Sequence, residues 1–220
     1  MSLSRIRLSR PALAGATLLA ISLLGTAHAA TATDPAGDFL ATFAGSHAST
    51  DLDILSVSAT YNPGTDTFVI SSTSAGPIGQ TPTGIYVWGV NEGTGAPGFA
   101  GNDLPGVLFN QVIVLHPDGT GNIGATALPA GSITVSGNTL TASISGALLP
   151  SKGFAKQDYT WNLWPRDAAF ASTGFNAISD FAPDNSNVAT TAVPEPASSA
   201  LMVTGLLLGG LLVRSKKNQG

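Results

Sequence analysis

Residues 132–145 read SITVSGNTLTASIS, and no other stretch restricts the fold as tightly. Apolar residues alternate with Ser and Thr on both sides of Ser136-Gly137-Asn138. Ile133 and Val135 precede the bend; Leu140, Ala142 and Ile144 follow it. A period of two puts every second side chain on one face of a strand, and a Gly-Asn bend closes an antiparallel hairpin. A helix, with its period of 3.6, would scatter the same apolar residues around its axis.

The pattern recurs along the chain. In DILSVSATY (53–61), Leu55, Val57, Ala59 and Tyr61 share an apolar face, and Ile54, Ser56, Ser58 and Thr60 the opposite one. NPGTD (62–66) reads as a turn and TFVISSTS (67–74) as the returning strand. IYVWGV (85–90) and VLFNQVIVLH (107–116) read as long, apolar, central strands, with a PDG turn at 117–119. YTWNLW (159–164) is a last core strand, limited by Pro165. The middle is rich in Gly, Thr, Ser and Val, which suits strands and tight turns over helices. The expected fold is all-β: one antiparallel β-sandwich, jelly-roll or immunoglobulin-like, over residues 30–182. The polar run PDNSNVATTA (183–192) reads as a linker.

The ends differ in character. MSLSRIRLSR carries Arg5, Arg7 and Arg10, PALAGATLLAISLLG is apolar, and Ala27-His28-Ala29 is an A-x-A pattern. A basic start, a short apolar core and a small-residue exit make residues 1–29 a secretory signal peptide. With the ends removed, Lys152, Lys156 and Arg166 face twelve acids, a formal net charge of −9. Such a domain repels nucleic acid, so no nucleic-acid partner is expected. The chain has no cysteine, so export brings no disulfide and the fold rests on its own core.

The last segment, VPEPASSALMVTGLLLGGLLVRSKKNQG (193–220), joins Pro194-Glu195-Pro196 to an apolar run and a basic cluster. About seventeen residues from 197 to 213 would form a helix roughly 26 Å long, just short of a bilayer core. Arg214, Lys216 and Lys217 would keep its end cytoplasmic. This order of features resembles the PEP-CTERM sorting signal of bacterial exported proteins. The resemblance implies a Gram-negative host and an inner-membrane intermediate. It also implies recognition by an exosortase at Pro194, Glu195 and Pro196, then transfer to the cell surface or beyond. Proteins with this signal are associated with exopolysaccharide and biofilm matrix. The middle also resembles uncharacterised secreted β-sandwich domains that begin with DPxGD and end near YTWNLWPR, a likeness that carries no activity.

Four aspartates lie close together in sequence: Asp34 and Asp38 in DPAGDF, Asp51 and Asp53 in TDLDI. Carboxylates on flexible loops suit a hard cation, so these four are candidate calcium ligands. The plainest alternative is Asx-turns for Asp34 and Asp38 and strand-start caps for Asp51 and Asp53. Exposed indoles stack on sugars. Trp164 falls on the opposite strand face from Trp161, which makes it the peripheral tryptophan and the candidate carbohydrate contact. Trp88 and Trp161 read as core.

Catalytic patterns are lacking: there is no G-x-S-x-G, no H-E-x-x-H and no Walker loop. His47 and His116 read as surface residues. No aspartate pair is singled out for glycoside hydrolysis. Haem of the cytochrome type is disfavoured, because the methionines are Met1 and Met202, both outside the domain. The expectation is a non-enzymatic surface or matrix protein without a cofactor other than calcium. The rival expectation is a carbohydrate-binding module, and behind it a glycoside-active enzyme.

Overall fold

The computed structural model describes residues 30–170 and 174–193. The signal peptide (1–29), Pro194-Glu195-Pro196 and the apolar tail lie outside the described residues. Among the described residues, no helix is long and apolar enough to cross a membrane.

The fold is all-β and almost wholly antiparallel, with short 3₁₀ turns between strands. One sheet holds β1 (Thr31–Thr33), β2 (Ile54–Asn62), β3 (Thr67–Ser74), β11 (Thr139–Ser145) and β10 (Ile133–Ser136), in that spatial order. A final strand, β14 (Thr191–Ala192), pairs with β2 in parallel. The other sheet runs β13 (Val188–Ala189), β12 (Thr160–Asp167), β4 (Gly84–Asn91), β7 (Gln111–Leu115), β8 (Gly121–Ile123) and β9 (Thr126–Ala127). A small hairpin of β5 (Ala96–Phe99) and β6 (Leu104–Phe109) forms a third sheet.

The alternating residues of the two larger sheets meet in one core. Val57, Ala59, Phe68, Ile70, Leu140, Ala142 and Ile144 pack against Tyr86, Trp88, Val90, Ile113, Trp161 and Leu163. Phe68 is the aromatic centre, 4.7 Å from Tyr61, 5.4 Å from Tyr159 and 5.3 Å from Trp161. The hairpin at 133–145 has the expected register, with Val135 opposite Leu140 and Ile133 opposite Ala142. Gly137 turns it with φ +60°, a conformation that glycine adopts without steric penalty.

Four expectations change. First, Ile54 is buried in the core, because a register shift between Ile54 and Ser56 reverses the facing of the strand's first residue. A bulge inserts one residue and flips what precedes it. Second, VLFNQVIVLH is not one strand: β6 ends at Phe109 and β7 starts at Gln111, in different sheets. Asn110 makes the break by accepting the Glu92 N–H and donating to Glu92 Oε2. Third, residues 183–192 are folded. They carry β13 and β14, and Asn187 bonds to Leu108 and Thr160.

Fourth, Trp164 is only 2 % exposed. It lies on the outer face of its sheet, but the β5–β6 hairpin and the 175–181 segment cover that face. Phe99, Phe109 and Phe181 surround the indole at 5.1, 4.9 and 6.0 Å. Val87, Val107 and Ile178 complete this second core. Alternation correctly put Trp164 opposite Trp161. It gave no sign of a third layer, so the indole has no open face for a sugar.

Candidate functional site

The first and last described strands both pair with β2. The Ala30 N–H donates to Thr191 Oγ1 at 2.6 Å, and β1 and β14 pair with successive parts of β2. Beyond β1, the segment from Asp34 runs beside the segment that approaches β13. Leu40 N–H donates to Ser179 O, and Ala44 N–H to Asn176 O.

This convergence brings two D-x₃-D sequences together, Asp34-Pro-Ala-Gly-Asp38 and Asp180-Phe-Ala-Pro-Asp184. Each of the four aspartates offers one carboxylate oxygen, and these four oxygens lie within 4.8 Å of one another. Gly37 supports the first loop with φ +78°, and its N–H donates to Asp53 Oδ2 at 2.9 Å. Asp180 anchors the second loop. Its Oδ2 accepts the Ile54 N–H at 2.8 Å and its Oδ1 the Phe181 N–H at 2.6 Å.

The electrostatics are unbalanced. Burial pushes the Asp34 carboxyl up to about 8, helped by the charges of Asp180, Asp38, Asp184 and Asp53. Burial likewise pushes Asp180 up to about 7, against the two backbone N–H groups it accepts. Asp38 and Asp53 are also raised, chiefly by burial. The charges named around Asp34 are all carboxylates. Buried oxygens of Asp34 (Oδ2), Asp38 (Oδ1) and Asp53 (Oδ1) have no hydrogen-bond partner. Carboxylate oxygens removed from water without a donor or a cation are costly.

Asp51, Asp66 and Glu92, elsewhere in the fold, each have a donor or a cation, although Glu92 Oε1 is also buried without a hydrogen-bond partner. Asp51 is fully buried, and both its oxygens accept from Thr81, at 2.8 Å from the N–H and 2.7 Å from the hydroxyl. The structure therefore separates Asp51 from the other candidates and gives it a structural role. Asp66 pairs with Lys156 at 2.6 Å, and Glu92 with Lys152 at 2.9 Å. Of the sequence candidates, Asp34 and Asp38 sit in the cluster and Asp53 buttresses it. Asp180 and Asp184 were missed because more than 140 residues separate them from Asp38 and they border the supposed linker. The repeated D-x₃-D spacing was the available signal.

His47 is exposed and stacks on Phe39 with ring centroids 4.8 Å apart. His116 directly follows β7, its N–H bonded to Thr120 O. Neither belongs to the acidic cluster.

A second feature lies on the outer face of the first sheet. Pairing aligns Thr33, Ser56, Thr73, Thr139 and Ser136 in one row across five strands. Two residues along, it aligns Thr31, Ser58, Ser71, Thr141 and Thr134. Neighbours in a row are about 4.8 Å apart, and the rows about 6.8 Å apart. Every member is a hydroxyl side chain and none is charged. Ser71 Oγ and Thr141 Oγ1 bond at 3.0 Å.

No protein-family model matches the chain, and no curated protein sequence does.

Proposed function

We propose that the chain is an exported, non-enzymatic protein of the cell surface or exopolysaccharide matrix. In this reading residues 1–29 direct export, and residues 193–220 are a PEP-CTERM-like sorting signal read by an exosortase. A single sandwich of jelly-roll or immunoglobulin-like outline is the module delivered. The reading rests on the order of Pro194-Glu195-Pro196, apolar run and basic cluster, and on the last described residue being tied into the sheet. Val193 N–H donates to Tyr61 O at 2.8 Å, and Pro194 follows directly. Cleavage at or after Pro194-Glu195-Pro196 would thus release the domain without removing any described strand.

Intact-mass measurement of protein recovered from the native cell surface tests this. The reading predicts a chain from Ala30 to about Val193. A surface protein that still carries SKKNQG would contradict processing and leave simple anchoring.

The two hydroxyl rows favour a second reading, a carbohydrate-binding module. An uncharged face of regularly spaced hydroxyls suits an uncharged polysaccharide, whose hydroxyls are equally two-sided in hydrogen bonding. An acidic polymer would be repelled by the domain's net charge. Co-sedimentation with insoluble neutral polysaccharides tests it. Retention that falls at least tenfold in a Ser58→Lys, Thr141→Lys double variant supports the face as the contact. No retention of the unaltered protein contradicts it.

A further inference from the structure

We propose that Asp34, Asp38, Asp180 and Asp184 bind one calcium ion, which clasps the first and last segments of the domain together. The proposal is independent of the export reading, since it concerns only how the folded domain is held.

The geometry suits the ion. Calcium–oxygen bonds are about 2.3–2.6 Å long, so ligands on opposite sides of one ion stand up to about 5 Å apart. The four carboxylate oxygens lie within 4.8 Å of one another, a spread that small closing movements of the two loops bring around a single centre. They come from two loops that meet only in the folded chain.

A cluster of acids alone would be weak ground, but Asp53 adds an independent observation. It is only 4 % exposed, its Oδ1 has no partner, and its charge acts on Asp34, Asp38 and Asp180. Its other oxygen holds the Gly37 N–H inside the first loop. A carboxylate this buried normally meets a cation or a full set of donors. Here one side of it is satisfied by the loop, while its charge bears on a group of carboxylates. The lysine ion pairs are made elsewhere, with Glu92 and Asp66.

The donor set narrows the metal. All four ligands are hard oxygens, without imidazole or thiolate, which disfavours zinc and later transition metals. Four carboxylates on two irregular loops match calcium's high and flexible coordination number. Magnesium demands a tight octahedron at about 2.0–2.1 Å and retains its water.

The clasp gives each ligand a mechanical role. Asp34 and Asp38 follow β1, and Asp180 and Asp184 precede β13. Both β1 and β14 are edge strands of two or three residues, held on β2 by few backbone bonds. An ion bridging the loops beside them would hold in place strands that their own hydrogen bonds secure weakly.

The test uses the full chain, treated with EDTA and held in neutral detergent. Titration with CaCl₂ in a calorimeter should give one site with a Kd on the order of 0.1–1 mM, as in extracellular calcium modules. The melting temperature should rise with calcium, because the ion binds only the folded state. MgCl₂ should act more weakly. Asp34→Asn and Asp184→Asn should each abolish the calcium heat, yet in EDTA melt no lower than the unaltered protein. Neither strands a known donor, and each lessens the repulsion within the group of carboxyls. The exposed Asp158→Asn should bind calcium normally. Absence of heat and of any melting shift in the unaltered protein would overturn the proposal. So would undiminished calcium binding by both variants. If a variant fails to fold, hydrogen exchange of residues 34–40 in the unaltered protein decides: slower exchange with calcium supports the clasp, and unchanged exchange overturns it.

Discussion

Asp180 Oδ2 accepts the Ile54 N–H at 2.8 Å, joining residues 126 positions apart at the first residue of β2. The same carboxylate takes the Phe181 N–H on its other oxygen. One side chain therefore fixes the bulged start of β2 and one loop of the acidic cluster. Asp180→Ala should strand both donors, at about 1–3 kcal/mol each, which outweighs the relief of one charge. Thermal melting in calcium-free buffer checks this. Asp180→Ala should melt well below the unaltered protein, while Asp34→Asn should not, because Asp34 Oδ2 holds no donor.

Asp34 and Asp180 also predict a pH dependence in the presence of EDTA. Their folded-state values are raised to about 8 and about 7, chiefly by burial, from the ordinary aspartate value of 3.8. Across that window the folded chain holds protons that the unfolded chain has released. Stability should therefore be greatest at the acid side and fall as pH rises from about 4 to 8. Melting curves at a series of pH values in EDTA should show this decline. A melting temperature that rises between pH 5 and 8 would contradict it.

Trp164 fills the second core, so Trp164→Ala should destabilise the fold by about 3–5 kcal/mol, as Trp161→Ala should in the first. Equal and large losses in melting temperature are expected. An unchanged melting temperature at Trp164 would mean that its indole stands at the surface.

Gly89 supports the same packing from β4. A Cβ there would lie 2.5 Å from two ring atoms of Trp164 and 3.0 Å from Phe109 Cβ. Gly89→Ala should cost about 1–3 kcal/mol through overpacking. The loss should shrink in a Trp164→Phe background, where the ring is smaller; equal losses in both backgrounds would place the strain elsewhere.

Much of the fold was legible because it obeys local rules. The 133–145 hairpin, β2, β3, β4 and the first part of β12 follow from alternation and turn residues, although β12 runs on through Pro165 to Asp167, and Trp88 and Trp161 lie in the core as their strand positions indicate. What failed was set by distant contacts. Ile54 is turned inward at a bulge whose backbone is held by Asp180. Trp164 is covered by a hairpin that no period in YTWNLW can announce. Residues 183–192 look like a linker because they are polar, yet Asn185 and Asn187 use those polar groups to bond β6, and Val188 pairs with Trp161. The acidic cluster was half legible. Asp34 and Asp38 stood out by spacing, while Asp180 and Asp184 join them only because the segment after β1 lies against the segment before β13.

The clasp is tested most directly by diffraction from crystals grown in millimolar calcium, with data collected to enhance the anomalous signal of calcium. The account predicts one anomalous peak bonded to Asp34, Asp38, Asp180 and Asp184 at about 2.3–2.6 Å, with the remaining positions taken by water or backbone carbonyls. It is contradicted if those four carboxylates are well ordered and no anomalous peak lies among them.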